Sequence, residues 1–318
     1  MATKGPGRAH REGISVMELA DRFPNEESAR RWFEAQRWPD GVRCARCDGE
    51  HVTPVASGKP MPYRCRDCRQ YFSVRIGTVM ERSKITLRQW AWGIYLSTTN
   101  LKGVSSLKLH RDLEITQKSA WFMAHRIREA LAADDHLLDG PVEVDESYFG
   151  GREKNRHARD RQHRGRGTIG KAPVIAMRDR TTREVRAQAI THINRSVLAL
   201  FITAHAAPDA MVYTDEHPAY DHLPHHETVR HSVGEYVNDQ AHTNGIESFW
   251  AMLKRAYHGT YHHFSPKHLQ RYVDEMATRQ SLRELDTADL MGEVAARMVG
   301  ERLTYADLTA GGRAYPKR

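Results

Sequence analysis

The chain of 318 residues has no long hydrophobic run. Its longest apolar stretch, VLALFITAHAA at 197–207, is much shorter than the roughly 20 residues that a membrane-spanning helix needs. The N-terminal segment MATKGPGRAHREG is polar and lacks the apolar core of a secretory signal. We therefore expect a cytoplasmic protein that has no membrane partner.

Cysteine is also scarce, with four residues in the whole chain. They form two C-x2-C pairs, CARC and CRDC, separated by 17 residues, a spacing typical of structural zinc sites. Two disulfides are the alternative, but the reducing cytosol argues against them. We expect one structural Zn2+ that folds a small ribbon and leaves no open coordination position for catalysis. Its ligands would be Cys44, Cys47, Cys65 and Cys68.

Composition and charge are those of a folded, basic protein. Charged residues make up 28% and hydrophobic residues 40% of the chain, and 48 Lys and Arg face 40 Asp and Glu, a net charge of +8. The length favours two or more compact units. The basic surplus makes nucleic acid a plausible partner, although net charge alone says nothing about the fold.

Helical patterns flank the predicted ribbon. A capping pattern at Asn25 begins one helix, and three more helical stretches lie between residues 87 and 131. The last two could form a helix-turn-helix, with a cap at Thr116 and a second helix that shows Lys118, Arg126 and Arg128. Helical hairpins with basic faces are common, so the sequence leaves a DNA-binding role and a structural role equally open.

From residue 140 the sequence changes to strands. The segment PVEVDESYFGG alternates, with Val142 and Val144 on one face and Glu143 and Asp145 on the other. Later segments predict two strands, a helix, two short strands and a final helix, an α/β arrangement with one mixed sheet. The remaining predicted strands and helices are KAPVIAMRD, EVRAQAIT, RSVLALFITAHA, AMVYTDEHPAY, TVRHS and the helix that begins in HTNGIESFW.

Three carboxylates lie at informative places in this pattern. Asp145 is inside an otherwise apolar strand, Asp215 ends a later strand, and Glu247 is one turn into the last helix. Ligands gather at the carboxyl ends of strands in open α/β sheets, and clustered carboxylates suit Mg2+ or Mn2+. A pair of such ions can support an in-line phosphoryl displacement. Three unrelated surface acids are the alternative.

Several motifs together closely resemble bacterial insertion-sequence DDE transposases with an N-terminal zinc ribbon, the ISXO-like group. The resemblance runs from about residue 16 to residue 280. It implies a multidomain protein in which the zinc ribbon, flanked by helices, precedes an α/β ribonuclease H-like catalytic domain with a mixed sheet. The motifs are RWPDGVRCARCDG, YRCRDCRQYFSVRIGTVMERSKITLRQW, VEVDESYFGG, VYTDEHPAY and HTNGIESFWAMLKRAYHGTYHHFSPKHLQRYVDE.

The resemblance also implies an activity. Asp145, Asp215 and Glu247 would be the acidic triad that binds two Mg2+ (or Mn2+) ions. Hydrolysis at the end of the element would free a 3′-hydroxyl, which then attacks target DNA. The partners would be double-stranded DNA, as element ends and target, and further copies of the chain when two ends are paired. A zinc-ribbon DNA-binding regulator derived from an inactive transposase, or a nuclease without strand transfer, remains an alternative.

The resemblance leaves two candidates for the third ligand, because some members of this group use Asn there and Asn244 lies three residues before Glu247. We favour Glu247, since Lys254 follows it by two helical turns on the same side, where it could meet DNA phosphates. Asn244 would then cap or orient the helix. His217, two residues after Asp215, and Glu143, on the face of Asp145, are auxiliary candidates.

The segment between the first two predicted strands, 152–171, is strongly basic, with eight Lys or Arg and two acids. A Gly-rich and Arg-rich run of this kind cannot pack a core. We favour DNA contact over a solvated loop. The candidate contacts are Arg159, Arg161, Arg164, Arg166 and Lys171.

These patterns predict five parts. They are a disordered tail at 1–15, a helix plus zinc ribbon at 16–80, a helical region at 81–135, the catalytic domain at 136–280 and a helical tail at 281–318.

Overall fold

The computed structural model describes residues 12–310 apart from 133–135, 152–156, 158, 160–167, 169, 216–217, 221–222, 224 and 229–243. The described chain forms two compact units, one made of 12–131 with Glu284–Ala310 and the other of Ala132–Arg283. The predicted tail at 1–15 lies mostly outside the described residues. The five-part division stays a prediction about which segments fold independently.

The first unit is mainly helical and includes a small three-stranded sheet. Its helices and strands are α1 (Val16–Arg22), α2 (Glu26–Arg37), β1 (Val52–Pro54), β2 (Tyr63–Cys65), β3 (Tyr71–Phe72), α3 (Leu87–Thr99), α4 (Ser106–Leu113), α5 (Gln117–Ala130), α9 (Thr287–Arg297) and α10 (Tyr305–Thr309). The helix α3 is central, because α2, α4, α5 and α9 all pack against it. Its Trp90 and Ile94 are fully buried in the core.

Helix starts in this unit follow the predicted capping chemistry. Asn25 accepts a hydrogen bond from the Ser28 N–H at 2.9 Å, and Ser28 reaches back to Asn25, which forms a capping box. Thr116 caps α5 because its side chain accepts a hydrogen bond from the Ser119 N–H at 3.2 Å. Both caps predicted from the sequence are therefore confirmed.

The expected basic face of α5 is wrong beyond its first turn. Lys118 is exposed, but Arg126 and Arg128 are only 9% and 4% exposed. The chain after α9 covers this part of the helix and so buries Arg126. Arg126 Nε donates to the Leu303 carbonyl there, at 3.2 Å. If α4 and α5 act as a helix-turn-helix, α5 can contact DNA with basic side chains only from its first turn.

The small sheet of the first unit carries the cysteine ribbon. Its strands pair antiparallel in the order β1-β2-β3, with Val52 opposite Cys65 and Tyr63 opposite Phe72. Phe72 is fully buried and stacks on Tyr63, and Trp38 contacts both rings edge-on. These aromatic side chains, with a few aliphatic ones such as Val52 and Ile76, form the small apolar core of the ribbon, as expected for a unit too small for a large core.

The second unit contains a five-stranded mixed sheet. Its elements are β4 (Val142–Phe149), β5 (Ala172–Asp179), β6 (Val185–Ala189), α6 (Arg195–His205), β7 (Val212–Thr214), β8 (His226–Thr228), α7 (Asn244–Ala256) and α8 (Leu269–Ser281). The strand order is β6-β5-β4-β7-β8, antiparallel over the first three strands and parallel from β4 to β8. Numbered within the domain this order is 3-2-1-4-5, the ribonuclease H-like arrangement. The expected fold class is confirmed.

The two faces of the sheet bury different helices. Val144 of β4 packs with Phe201 of α6, whereas Phe149 packs with Phe249 of α7. Because side chains alternate along a strand, Asp145 and Glu143 share the face of Phe149 and point towards α7. The sheet and α7 therefore determine the surroundings of the candidate site.

Two further expectations concern the last predicted strand of this unit and the absence of a membrane-spanning helix. A strand is expected at TVRHS, residues 228–232. The structure has a strand at His226–Thr228, which shares only Thr228 with that segment, and 229–243 lies outside the described residues, so the expected strand stays a prediction. Among the helices of the described chain, none has the length and apolarity to cross a membrane. The cytoplasmic location stays a prediction.

Candidate active site

The four cysteines gather into one cluster at the ribbon. Their sulfur atoms all lie within 4.8 Å of one another, and the Sγ–Sγ distances Cys44–Cys68 and Cys47–Cys65 are both 3.7 Å. Four thiolates held at a metal–sulfur distance of about 2.3 Å in a tetrahedron would lie about 3.8 Å apart. None of the four forms a disulfide. The donor set and its spacing fit a tetrahedral Zn2+.

The thiol of Cys44 has a lowered pKa. Burial disfavours its thiolate, but the backbone N–H groups of Arg46 and Cys47 outweigh that effect and lower the pKa of Cys44 to about 7. The ribbon arginines point outward as expected, yet Arg43 already pairs with Asp48 at 3.1 Å. The exposed arginines around the cluster are Arg43, Arg46, Arg64, Arg66 and Arg69.

Asp145 and Asp215 lie on two neighbouring strands, Asp145 inside one and Asp215 just past the end of the other. Asp145 is in β4, and Asp215 directly follows β7. These strands are parallel, with Glu143 opposite Tyr213, so continuing the register by two residues puts Asp215 beside Asp145. Both residues are half-buried. The sheet therefore brings the first two predicted acids together.

The carboxyl group of Asp145 is electrostatically strained. Burial is the largest cause that raises the pKa of Asp145 from 3.8 to about 6, and the charge of Asp215 acts in the same direction. The backbone N–H of Glu146, 2.7 Å from Asp145 Oδ1, and the ammonium of Lys254 act in the opposite direction. A cation placed between the two aspartates would relieve this repulsion.

Glu146 is a third acid at this place, and the sequence reasoning missed it. Burial is the largest cause that raises the pKa of Glu146 to about 7. The Tyr220 hydroxyl donates a short hydrogen bond that opposes this rise, and the charges of Asp145 and Asp215 contribute to it. Strand alternation puts Glu146 on the opposite face from Asp145, so periodicity gave no reason to group them. The adjacent Asp-Glu pair was the available signal.

The helix α7 contributes three side chains from one face. Trp250 and Lys254 follow Glu247 by one and two turns, and both influence the pKa of Asp145. Trp250 is 3% exposed, and its indole Nε1 lies close enough to lower the pKa of Asp145, although it makes no hydrogen bond of normal geometry. Sequence reasoning did not single out Trp250, since an aromatic residue on an amphipathic helix is usually only part of the core.

Glu247 itself is exposed in the first turn of α7. Within the described part of the chain, the cysteines are the one group of three or more His, Cys, Asp or Glu residues whose ligand atoms all lie within 4.8 Å. The carboxylates of Asp145, Asp215 and Glu247 are not gathered to that spacing. Like charges repel, so this looser arrangement is what electrostatics dictates for the carboxylates alone.

The other predicted residues have different surroundings. Asn244 is the exposed first residue of α7, and Lys254 is exposed two turns after Glu247. Glu143 is fully buried. In the basic segment, Arg159 is exposed and Lys171 is half-buried. The candidates outside the described residues are His217, Arg161, Arg164 and Arg166.

Comparison with known proteins identifies both parts of the chain. A model of the ISXO2-like transposase domain matches residues 137–280, and a model of the transposase zinc-ribbon domain matches residues 24–71. An uncharacterized protein in transposable element ISH50 of Halobacterium salinarum is 33% identical over 247 residues, which cover 73% of this chain and 83% of that protein.

One solved structure also matches over a long stretch. It is a chain of the simian T-cell lymphotropic virus intasome in complex with PP2A regulatory subunit B56 gamma, 15% identical, with 72% of this chain and 75% of that chain covered. The TM-score is 0.28. A likeness of this size does not establish a shared fold.

Proposed function

The chain belongs to the ISXO2-like transposase family with an N-terminal transposase zinc ribbon, and we propose that it cleaves the ends of an insertion sequence and joins them to target DNA. Family membership implies phosphoryl transfer on DNA. The observation that supports the finer proposal is that the parallel strands β4 and β7 bring Asp145 and Asp215 close together, where burial and the neighbouring charge raise the pKa of Asp145.

The candidate ligands fit a hard divalent cation. Asp145, Asp215 and Glu247 offer only oxygen donors, which suit Mg2+ and Mn2+, and the repulsion between the two aspartates favours a bound cation. Two bound ions would lower the pKa of an attacking oxygen and stabilise the charge on a leaving oxygen. The half-buried setting strengthens these interactions relative to open water.

The chain itself supplies position and charge. The sheet holds Asp145 and Asp215 in fixed register, which is the main contribution that a protein makes to phosphoryl transfer. Lys254, exposed on the same face of α7 as Glu247, is suited to bind a non-bridging phosphate oxygen of the DNA strand. Trp250 is buried and close enough to lower the pKa of Asp145, so it would shield that side of the carboxyl group from water.

The zinc ribbon would support DNA binding rather than catalysis. A four-thiolate site has no open coordination position, so Zn2+ at Cys44, Cys47, Cys65 and Cys68 would fold the ribbon and fix its outward arginines for phosphate contact. The basic segment 152–171, with Arg159 exposed, would contact DNA beside the active site. Pairing of two element ends would need a homo-oligomer.

The test uses the full chain and DNA from the flanks of its reading frame, where a mobile element carries terminal inverted repeats. We expect Mg2+-dependent nicks with 3′-hydroxyl ends, followed by products joined to a target plasmid. Asp215→Asn should abolish both steps, whereas Glu227→Gln, the same chemical change at an exposed position on β8, should not alter them. Nicks without joined products would show a nuclease, and specific binding without nicks would show a DNA-binding regulator.

A further inference from the structure

We propose that Glu143, together with Arg180, is a positioning group that locks α7 to the sheet and so fixes the third acid relative to the first two. The proposal rests on the proposed function of the Asp145, Asp215 and Glu247 site. It assigns to Glu143 a role that differs from metal binding, although Glu143 is an acid two residues from Asp145.

Both carboxylate oxygens of Glu143 are used inside the protein. Oε2 accepts the backbone N–H of Ile246 at 2.8 Å, across 103 residues of sequence. Oε1 accepts Arg180 Nε at 3.1 Å. The side chain of Glu143 is 0% exposed. With these two bonds in place, Glu143 holds the first turn of α7 and is not available to the DNA.

The buried charge of Glu143 depends on positive charge close to it. A buried carboxylate is strongly unfavourable unless it is paired and hydrogen-bonded. Arg180 supplies the pairing charge with a side chain that is 15% exposed, and the N-terminal end of the 13-residue helix α7 adds favourable partial positive charge. Removing Glu143 would therefore leave Arg180 without its counter-charge, whereas Glu143 without Arg180 would keep the nearby charge of Arg178.

The group formed by Glu143 and Arg180 contacts all three elements that carry or precede Asp145, Asp215 and Glu247. The Arg180 guanidinium lies 3.7 Å from the ring centroid of Tyr213, and Tyr213 is two residues before Asp215. Glu143 is two residues before Asp145, and Ile246 is directly before Glu247. One layer behind the acids, a single hydrogen-bonded and stacked group thus connects β4, β7 and α7.

Gly245 shows how closely α7 approaches this group. A Cβ at Gly245 would lie 1.9 Å from Arg178 Nη1 and 2.7 Å from Glu143 Oε2. Distances this short do not occur between real side chains, so an alanine there would force α7 or the two side chains to move. The start of α7 is therefore fixed by steric contact as well as by the Glu143 hydrogen bond.

A fixed helix start matters because a small divalent cation demands accurate ligand geometry. Loosening the start of α7 should displace Glu247 from the aspartates and weaken metal binding. It should leave DNA affinity nearly unchanged, because phosphate contacts on other surfaces provide most of that affinity. A purely structural role would instead lower stability with no change in the metal requirement of the folded protein.

The experiment compares Glu143→Gln, Glu143→Ala and Gly245→Ala with two matched controls. Glu227→Gln changes an exposed carboxyl on the same sheet, and Gly259→Ala adds a Cβ that meets nothing within 4 Å. For each full-length protein we would measure the melting temperature with and without Mn2+, DNA affinity, and the Mn2+ concentration for half-maximal cleavage.

We expect Glu143→Ala and Gly245→Ala to raise the half-maximal Mn2+ concentration by about 10- to 100-fold, the usual effect of losing a group that orients metal ligands. The shift in melting temperature on adding Mn2+ should shrink in parallel. Glu143→Gln keeps an acceptor for Ile246 and should show a smaller defect, which is the rescue expected of a positioning group. Both controls should match the wild-type protein.

Two outcomes are distinguishable. If folded Glu143→Gln and Gly245→Ala proteins need the same Mn2+ concentration as the wild-type protein, the positioning role of Glu143 is wrong and the proposed function stands. If the wild-type protein neither responds to Mn2+ nor cuts DNA, the proposed function itself fails. Should Glu143→Ala not fold, the other two variants decide the question.

Discussion

Replacing a candidate catalytic acid should stabilise the metal-free protein. Asp145 is half-buried beside Asp215, and burial together with the charge of Asp215 raises its pKa from 3.8 to about 6. This difference corresponds to about 3 kcal/mol at roughly 1.4 kcal/mol for each tenfold change in acidity. An Asn amide also loses hydration on burial, so we expect Asp145→Asn to raise the free energy of unfolding by about 1–3 kcal/mol near pH 7.5.

The sign of the pH dependence follows from the raised pKa. Below pH 3.8 the carboxyl group is protonated in the folded and unfolded chains, and it contributes nothing to their difference. Between 3.8 and about 6 the unfolded chain loses its proton first, and above about 6 the full penalty applies. The advantage of Asp145→Asn should therefore be complete above pH 6, fall to about half near pH 5, and vanish below about pH 4.

The assay is scanning calorimetry of the full chain with chelator present, in which the transition of the unit Ala132–Arg283 is followed. For a unit of this size, about 2–4 °C per kcal/mol gives an expected increase of roughly 2–12 °C in melting temperature. Adding Mg2+ or Mn2+ should reverse the order, since the wild-type protein gains stability from binding and the variant does not. A lower melting temperature for metal-free Asp145→Asn near neutral pH would refute the reasoning.

Further predictions concern the ribbon and the DNA contact. Metal analysis should find one tightly bound zinc per chain, and protein purified under reducing conditions without zinc would contradict this. Cys65→Ser should lose the zinc and bind the element ends more weakly, while the calorimetric transition of the catalytic unit persists. Lys254→Gln should weaken binding to specific and unrelated DNA alike and lower the slope of log affinity against log salt by about one, measured by a salt titration. An unchanged slope would show that Lys254 does not contact phosphate.

Local sequence patterns predicted the parts of the molecule that depend on neighbouring residues. The spacing of Cys44, Cys47, Cys65 and Cys68 identified the cluster, since C-x2-C knuckles are built from adjacent residues. The cap at Asn25 and the alternation in β4 were also correct, because caps and pleated strands have short periods. Asp145 and Asp215 were singled out by the same local strand patterns, and their role stays a prediction.

Long-range contacts could not be predicted in this way. Arg126 seemed to be a surface residue, because nothing near it in sequence shows that Leu303 covers it from 177 residues away. Glu143 seemed to be one more acid beside Asp145, because its partner Ile246 lies 103 residues further along the chain. In both cases the burial of a charged group depends on tertiary contacts that periodicity does not encode.

The central claim is that Glu247 completes a metal-dependent site with Asp145 and Asp215, while Asn244 serves the start of α7. The most direct measurement is Mg2+-dependent cleavage of the element ends by Glu247→Gln and Asn244→Ala, with DNA affinity measured in parallel. Glu247→Gln should bind the ends nearly normally and lose cleavage by several orders of magnitude, since groups that act as a unit fail together. Asn244→Ala should still cut and lose about 1 kcal/mol of stability or less. Normal cleavage by Glu247→Gln with none by Asn244→Ala would contradict the assignment of the third ligand.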